Sequence, residues 1–374
     1  MSTLNVTNLA GPSNTGTAAT LSSINGGPIS GTRNRIINGD MRIDQRNTAV
    51  TASAYTVDRW ALSAVQNSKV TVQKSASVVP SGFSASLGVT SSSAYSVLAG
   101  DFFVLSQPIE GLTVDDLAWG TAIAKAVTIS FWVRSSLTGT FGGSLMNDGA
   151  NRCYPFTYSI SAANTWEYKT VAVPGDTTGT WKTDNGVGIY VSFSLGAGSS
   201  HSGPANTWAA TNYRSATGAT SVVSTNGATF YLTGVQLEAG NIATPFERRS
   251  YGHELQLCQR YAYVMRTYSA GEAYFRFPTG YTAGTGSTVT NIHYPVEMRS
   301  TPSLAANINW QEIINNSPTP PTGTSVALSV DAGNRSYGLI VFTPSSGAFT
   351  GFGALSCVRV NNSTTWSLTF SSEL

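Results

Sequence analysis

The side chains best suited to meet a ligand are aromatics set in two polar loops. Trp181 lies in GTWKTDNG and Trp208 in ANTWAATNYR, with Tyr213 and Arg214 just beyond it. A flat ring among amides, hydroxyls and a guanidinium can stack on the apolar face of a sugar and hydrogen-bond its hydroxyls. Each of the four has an equally ordinary reading, that of a rim residue folded onto its own scaffold. Trp60 reads as core, Trp119 and Trp166 as core or edge positions, and Trp310 and Tyr281 as weaker loop candidates.

Bond-breaking chemistry finds less support. The sequence carries no GxSxG, HExxH or P-loop motif, and no GxGxxG between a strand and a helix. His201, His253 and His293 are isolated from one another and unlike a catalytic set. Cleaving a glycosidic bond needs two carboxylates held across it. Asp176 with Asp184, or Glu167, would supply them, but no spacing favours any pair, so the chain is expected not to be an enzyme. Cys153, Cys258 and Cys357 are far apart and form no metal-ligand spacing, which points to small buried side chains.

The scaffold that must carry these loops is written in the composition. Charged residues make up 11% of the 374, under half the usual share of about 25%. Few charges with dense Gly, Ser and Thr disfavour long helices and suit short strands joined by tight turns. The fold class expected is all-β. A net charge of +2 without a basic cluster gives no drive toward nucleic acid. No apolar run is long enough for membrane insertion, and the N-terminus lacks the pattern of a signal peptide.

Residues 1–33, with no charge before Arg33, read as a flexible tail or as an attachment arm that orders on a partner, anchored by Leu4, Val6 and Leu9. IINGDMRIDQRN then reads as two short strand pieces around the Asn38–Gly39 turn. AVTISFWVRSS alternates Val127, Ile129, Phe131 and Val133 against Thr128, Ser130, Trp132 and Arg134. NGVGIYVSFSLG does the same with Ile189, Val191, Phe193 and Leu195, predicting one face on a core and one toward solvent. ATFYLTGVQLEAG closes the set, with Phe230, Leu232 and Gly234 on one face and Tyr231, Thr233 and Val235 on the other. About nine strands over Arg35 to Gly240 fit a jelly-roll sandwich. TVDDLAW promises a helical turn at most. HELQLCQRYAYV promises a short helix with Leu255, Cys258 and Ala262 on one side. The boundaries expected are therefore an arm at 1–33, a jelly roll at 34–246, a helical connector at 247–265 and a C-terminal β-sandwich at 266–374.

RIINGDMRIDQRN followed by AYTVDRW resembles the tail-fibre and receptor-binding proteins of tailed bacteriophages and prophages. FYLTGVQLEAGNIATPFERRSYGHELQLCQRYAY resembles the segment that closes the jelly roll of such fibres. YPVEMRSTPSL, at Tyr294 to Leu304, is similar to the strand opening their C-terminal domain, and MSTLNVTNLAG to their docking start. The resemblance implies a virion tail fibre, made in the host cytoplasm, that works as a homotrimer recognising a bacterial surface polysaccharide. It implies phage tail or baseplate partners reached through residues 1–33, and Leu257 and Tyr261 as assembly residues. The alternatives are a structural tail or baseplate spacer carrying another adhesin, and a glycan-depolymerising tailspike. The same NGD and LEAG ends resemble jelly-roll carbohydrate-binding modules, in which acidic groups there hold a structural calcium; Asp40 and Glu238 match loosely. Calcium needs several oxygen ligands, and a plain surface carboxylate is the ordinary alternative for each.

Overall fold

The computed structural model describes residues 32–266, 280–282, 287–307, 310–312, 322–323, 325–328, 334–343, 345, 355–356, 358–360 and 366–374. Most of the arm expected at 1–33, and Cys357, lie outside the described residues.

The first part of the chain lays down β1 (Ala54–Tyr55), β2 (Ala61–Ala64), β3 (Val70–Ser75), β4 (Ser86–Ser91) and β5 (Phe102–Glu110). After two turns of 3-10 helix within TVDDLAW and the residues before it come β6 (Val127–Ser135), β7 (Gly139–Met146), β8 (Cys153–Ile160) and β9 (Glu167–Val173). The set ends with β10 (Val187–Ala197), the short β11 (Ser202–Gly203) and β12 (Ser215–Ala216), and β13 (Thr229–Ala239). All but β11 and β12, which pair with each other in parallel, form two antiparallel sheets, β1-β2-β5-β10-β7-β8 and β3-β4-β13-β6-β9. The last strand is inserted between β4 and β6, the long-range return expected of a jelly-roll sandwich. The fold is all-β, as the composition requires.

Period-two alternation explains the core. Val127, Ile129, Phe131 and Val133 of β6 face Ile189, Val191, Phe193 and Leu195 of β10, all at 1% exposure or less. Phe131 meets Phe193 edge-on at 4.9 Å. Trp60 is fully buried in the same cluster.

Three local expectations are overturned. Residues 35–47 form no strands; Asn38 and Met41 both take positive φ, and the segment is an irregular clasp. The Asn38 side chain accepts from the Ile43 amide and donates to the Ile43 and Asp58 carbonyls, doing the work of a ladder. Gly39 lies against β13, where a Cβ would sit 2.2 Å from the Val235 carbonyl oxygen. Second, β13 changes face midway: Phe230 and Leu232 are in the core, and so are Val235 and Leu237. Its register with β6 slips between Thr233 and Gln236, at a bulge where Gly234 has φ +61°. One extra residue moves every later side chain to the opposite face. Third, the outer face of β10 is shielded from solvent except at the half-buried Tyr190. Ser192 and Ser194 are buried, and the loop carrying β11 and β12 crosses that face, with Thr220 bonded to Thr140 of β7.

The connector is half helix. Helix α1 (Tyr251–Gln259) is capped by Ser250. Ala262 belongs to the next strand, β14 (Ala262–Arg266), which pairs with Ser367–Ser371, itself paired with Ser303–Asn307. A second hydrophobic cluster of Ile292, Tyr294, Met298, Ile340, Phe342, Trp366, Leu368 and Phe370 lies on this side. Tyr294 to Pro302, expected within a strand, is irregular and enters the ladder only at Ser303.

Buried polar groups join the two parts. Arg260 makes two hydrogen bonds to Glu110, at 2.6 and 3.0 Å, and the Tyr261 hydroxyl adds a third at 2.6 Å. Burial pushes the Glu110 carboxyl up, but these bonds and the charges of Arg260 and Arg299 outweigh it and hold it below the usual value. Arg59 lies 3.5 Å from the Tyr261 ring centroid and pairs with Glu373. Asn38 donates to Glu254 of α1 at 2.5 Å, and Gln45 donates to the Ala262 carbonyl at 2.7 Å. Tyr261, expected to pack between domains and subunits, is at 1% exposure within this chain, held at the junction by Glu110 and Arg59. Leu257 is half-buried on α1.

Candidate functional site

The loops bring Trp181 and Trp208 together, but with each other. Their ring centroids lie 5.6 Å apart, and Trp119 completes a triangle at 4.7 and 5.3 Å, every contact edge-to-face. Each indole N–H is engaged: Trp119 with the Lys125 carbonyl, Trp208 with the Pro174 carbonyl, and Trp181 with Asp176. Asp176 is fully buried and takes Arg152 bidentately at 2.6 and 2.7 Å. Arg152 also lies over the Trp208 ring, which packs against Tyr154. Rings facing one another, with their N–H groups bonded inward, make a small core that closes one end of the sandwich. Asp176, weighed as a candidate acid, is the buried counter-ion of that core.

Tyr213 and Arg214 belong to a different cluster. The Tyr213 ring covers Gly203, where any Cβ would sit 2.1 Å from it. Arg214 lies 4.5 Å from the Phe102 ring centroid, and Phe102 meets His201 edge-on. Burial draws the Arg214 guanidinium below its usual pKa. These groups fasten the β11–β12 loop across the first sheet.

Asp40 and Glu238 do not fit a shared calcium ion. Asp40 pairs with Arg42. Glu238 accepts the Thr244 amide at 2.8 Å, the Thr244 hydroxyl at 2.7 Å and the Gln236 side-chain amide at 2.9 Å. Both oxygens of Glu238 already hold protein donors, and among the described residues no cluster of three or more His, Cys, Asp or Glu side chains is placed to hold a metal.

What Glu238 does hold is one wall of an open aromatic groove on the outer face of the second sheet. The groove has a volume of about 540 Å³ and is lined by Phe83, Trp132, Tyr168, Thr244, Phe246 and Arg248, with Ala243 and Pro245. Trp132 of β6 and Tyr168 of β9 are direct cross-strand partners, their rings 5.5 Å apart and inclined by 48°. Tyr168 is exposed at 42%. On the other side Phe83 and Phe246 pair at 5.4 Å, and Arg248 lies 4.6 Å from the Phe83 ring centroid while donating to the Gly82 carbonyl at 2.5 Å.

The bulge in β13 builds the floor. A Cβ on Gly234 would lie 2.7 Å from the Phe83 ring and 3.1 Å from Trp132, so its hydrogen lets both rings settle onto the backbone. Gln236 and Glu238, just past the bulge, hold the far wall through Thr244 and the Glu247 amide. Such a trough offers a flat face of aromatic hydrocarbon with the hydroxyl of the exposed Tyr168 and the guanidinium of Arg248 in its lining. It suits a ring-shaped ligand with one apolar face. The sequence signal was a Trp on the polar face of β6, opposite a strand carrying Tyr168; the β6–β9 register that joins them has no local signature.

No protein-family model matches the chain, and no curated protein matches it. Among solved structures, the chain resembles the enzymatically active domain of tailspike protein 4 of bacteriophage CBA120, at 12% identity and a TM-score of 0.30 over 55% of this chain and 21% of that one. The carbohydrate-binding module TmCBM61, in complex with beta-1,4-galactotriose, aligns at 13% identity and 0.28 over 56% of this chain and all of its own. A family 11 carbohydrate-binding module from Clostridium thermocellum, in complex with a beta-1,3-1,4-mixed-linked tetrasaccharide, aligns at 13% and 0.25 over 50% of this chain and 91% of its own.

Proposed function

We propose that this chain is the adhesin of a bacteriophage tail fibre, holding a bacterial surface glycan in the Trp132–Tyr168 groove without cleaving it. The observation that carries the binding reading is the groove itself. An exposed aromatic pair on a rigid sheet, with Phe83 and Phe246 opposite, fits the apolar face of a pyranose ring. A volume of about 540 Å³ lies in the range of small-molecule sites. The phage reading rests on the segments Arg35–Asn47, Ala54–Trp60 and Phe230–Tyr263, whose residues resemble those of tail fibres. On this reading the protein acts in the virion as a homotrimer docked through residues 1–33. Three shallow grooves per particle component then gain from effective concentration.

The test is binding of the purified protein to host cells and to their isolated polysaccharide. Trp132→Ala or Tyr168→Ala should weaken binding by about tenfold to a hundredfold, since stacking aromatics anchor such sites. Both side chains lie on the outer face, so melting temperature should move little. Wild-type affinity retained by the double variant would remove the groove from the reading. Shortening of the polysaccharide during the assay would replace an adhesin with a depolymerase.

A further inference from the structure

We propose that the groove selects acidic glycans, sugars bearing carboxylates such as uronates or sialates; this rests on the glycan reading above. The aromatic strip is flanked by two guanidiniums and by no available carboxylate. Arg248 lies over Phe83 and Phe246 at one end. Arg134 is on the same face of β6 as Trp132 and directly opposite Tyr231, whose ring centroid is 5.5 Å away; its Nε donates to the Asn164 carbonyl. Neither arginine joins an ion pair among the described residues.

The carboxylates nearby are all committed elsewhere. Glu247 accepts the Asn34 amide and pairs with Arg249. Glu167 accepts the Ser161 and Ala162 amides and pairs with Lys169. Glu238 is buried beneath Thr244. Most arginines of the sandwich and its junction with the helix, including Arg35, Arg59, Arg152, Arg249 and Arg260, meet a carboxylate. The two beside the aromatic strip do not, and nor do Arg214, held over Phe102, and Arg299, bonded to backbone carbonyls. A guanidinium fixed over aromatic rings keeps its charge and its in-plane donors, which match a carboxylate in bidentate geometry. A neutral sugar would leave that charge without a partner, whereas a uronate stacked on Trp132 and Tyr168 would supply one.

The experiment is an array of uronate- and sialate-bearing oligosaccharides, each beside its carboxyl-reduced counterpart, probed with the full chain. The glycans bound should be acid-bearing, and reduction of the carboxylate should weaken them by about tenfold, the worth of one charge-assisted bond. Rising salt should narrow the difference. Arg248→Ala should lose the discrimination and Arg248→Lys should keep part of it; Arg248 is exposed, so neither change threatens folding. Equal binding of reduced and acidic forms, or unchanged discrimination in Arg248→Ala, overturns the acidic preference while leaving the glycan reading intact. A wild-type protein that binds no member of the array, acidic or reduced, overturns both.

Discussion

Glu238 shows how much one side chain decides at this site. Its two oxygens hold Thr244 and Gln236, and through them the wall that carries Pro245, Phe246 and Arg248. Glu238→Ala would leave the Thr244 amide and hydroxyl buried without acceptors, so chemical denaturation should report a loss of about 2–4 kcal/mol, with weaker glycan binding beside it. Added calcium should not raise the melting temperature of the wild type; a clear rise would restore the metal role to this residue. Asp58 makes a second prediction. Burial pushes its carboxyl up to about 6, against the opposing pull of Arg46 and Gln45. The folded state then holds a proton that the unfolded chain, titrating near 4, releases, so this contribution grows as pH falls through that window and is lost above it. Going from about pH 7 to about pH 5 should stabilise the protein by about 1–2 kcal/mol from this group, and Asp58→Asn should flatten the slope. Glu110 has the opposite sign. Its depressed carboxyl contributes above the usual carboxylate range and loses that contribution in stronger acid.

At the scale of the element, the bulge in β13 is the decisive detail. Gly234→Ala would place a methyl group at φ +61° and against Phe83 and Trp132. The expected cost is about 2–4 kcal/mol, combining left-handed strain with overpacking, and the groove should lose affinity with it. The same bulge marks what could be read from the sequence. The alternation of β6 and β10 was legible because inward side chains repeat every second residue, and the core they form is the one expected. The face change in β13 was not, because a single inserted residue alters register without altering composition. The polar residues alternating along β10 predict a solvent-facing side. A loop more than twenty residues long covers it instead, and nothing within β10 announces a covering made elsewhere in the chain. The residue type of Trp181 and Trp208 suits a sugar site, but their environment depends on Trp119, a third ring far away in sequence. Trp132 and Tyr168 lie in strands, where a sheet face presents aromatics as well as a loop does.

For the whole molecule, the polar junction couples the sandwich to everything beyond α1. Tyr261→Glu would set a second carboxylate beside Glu110 in a buried site, which costs several kcal/mol through desolvation and repulsion, about 3–5 by analogy with broken buried pairs. That loss should appear as a lower melting temperature of the chain itself, at protein concentrations where mass measurements find it monomeric as well as where they find oligomers. Leu257→Glu, half-buried on α1, should instead alter oligomer mass with little change in melting if the homotrimer packs through that helix.

The junction also ties the two ends of the described chain together. Arg59, at 1% exposure, finds its counter-ion in Glu373, 314 residues later, and the Tyr55 hydroxyl donates to the Leu374 carbonyl. The sandwich is thus complete in its strands long before it is complete in its charges. The partners of Glu110 and Arg59 come from the residues just after α1 and from Glu373, beyond the strand Ser367–Ser371. A fragment ending near residue 246 would keep every sheet of the sandwich yet lose Arg260, Tyr261 and Glu373, which partner and cover Glu110 and Arg59, and it should melt lower and be cleaved by protease sooner than the 374-residue chain.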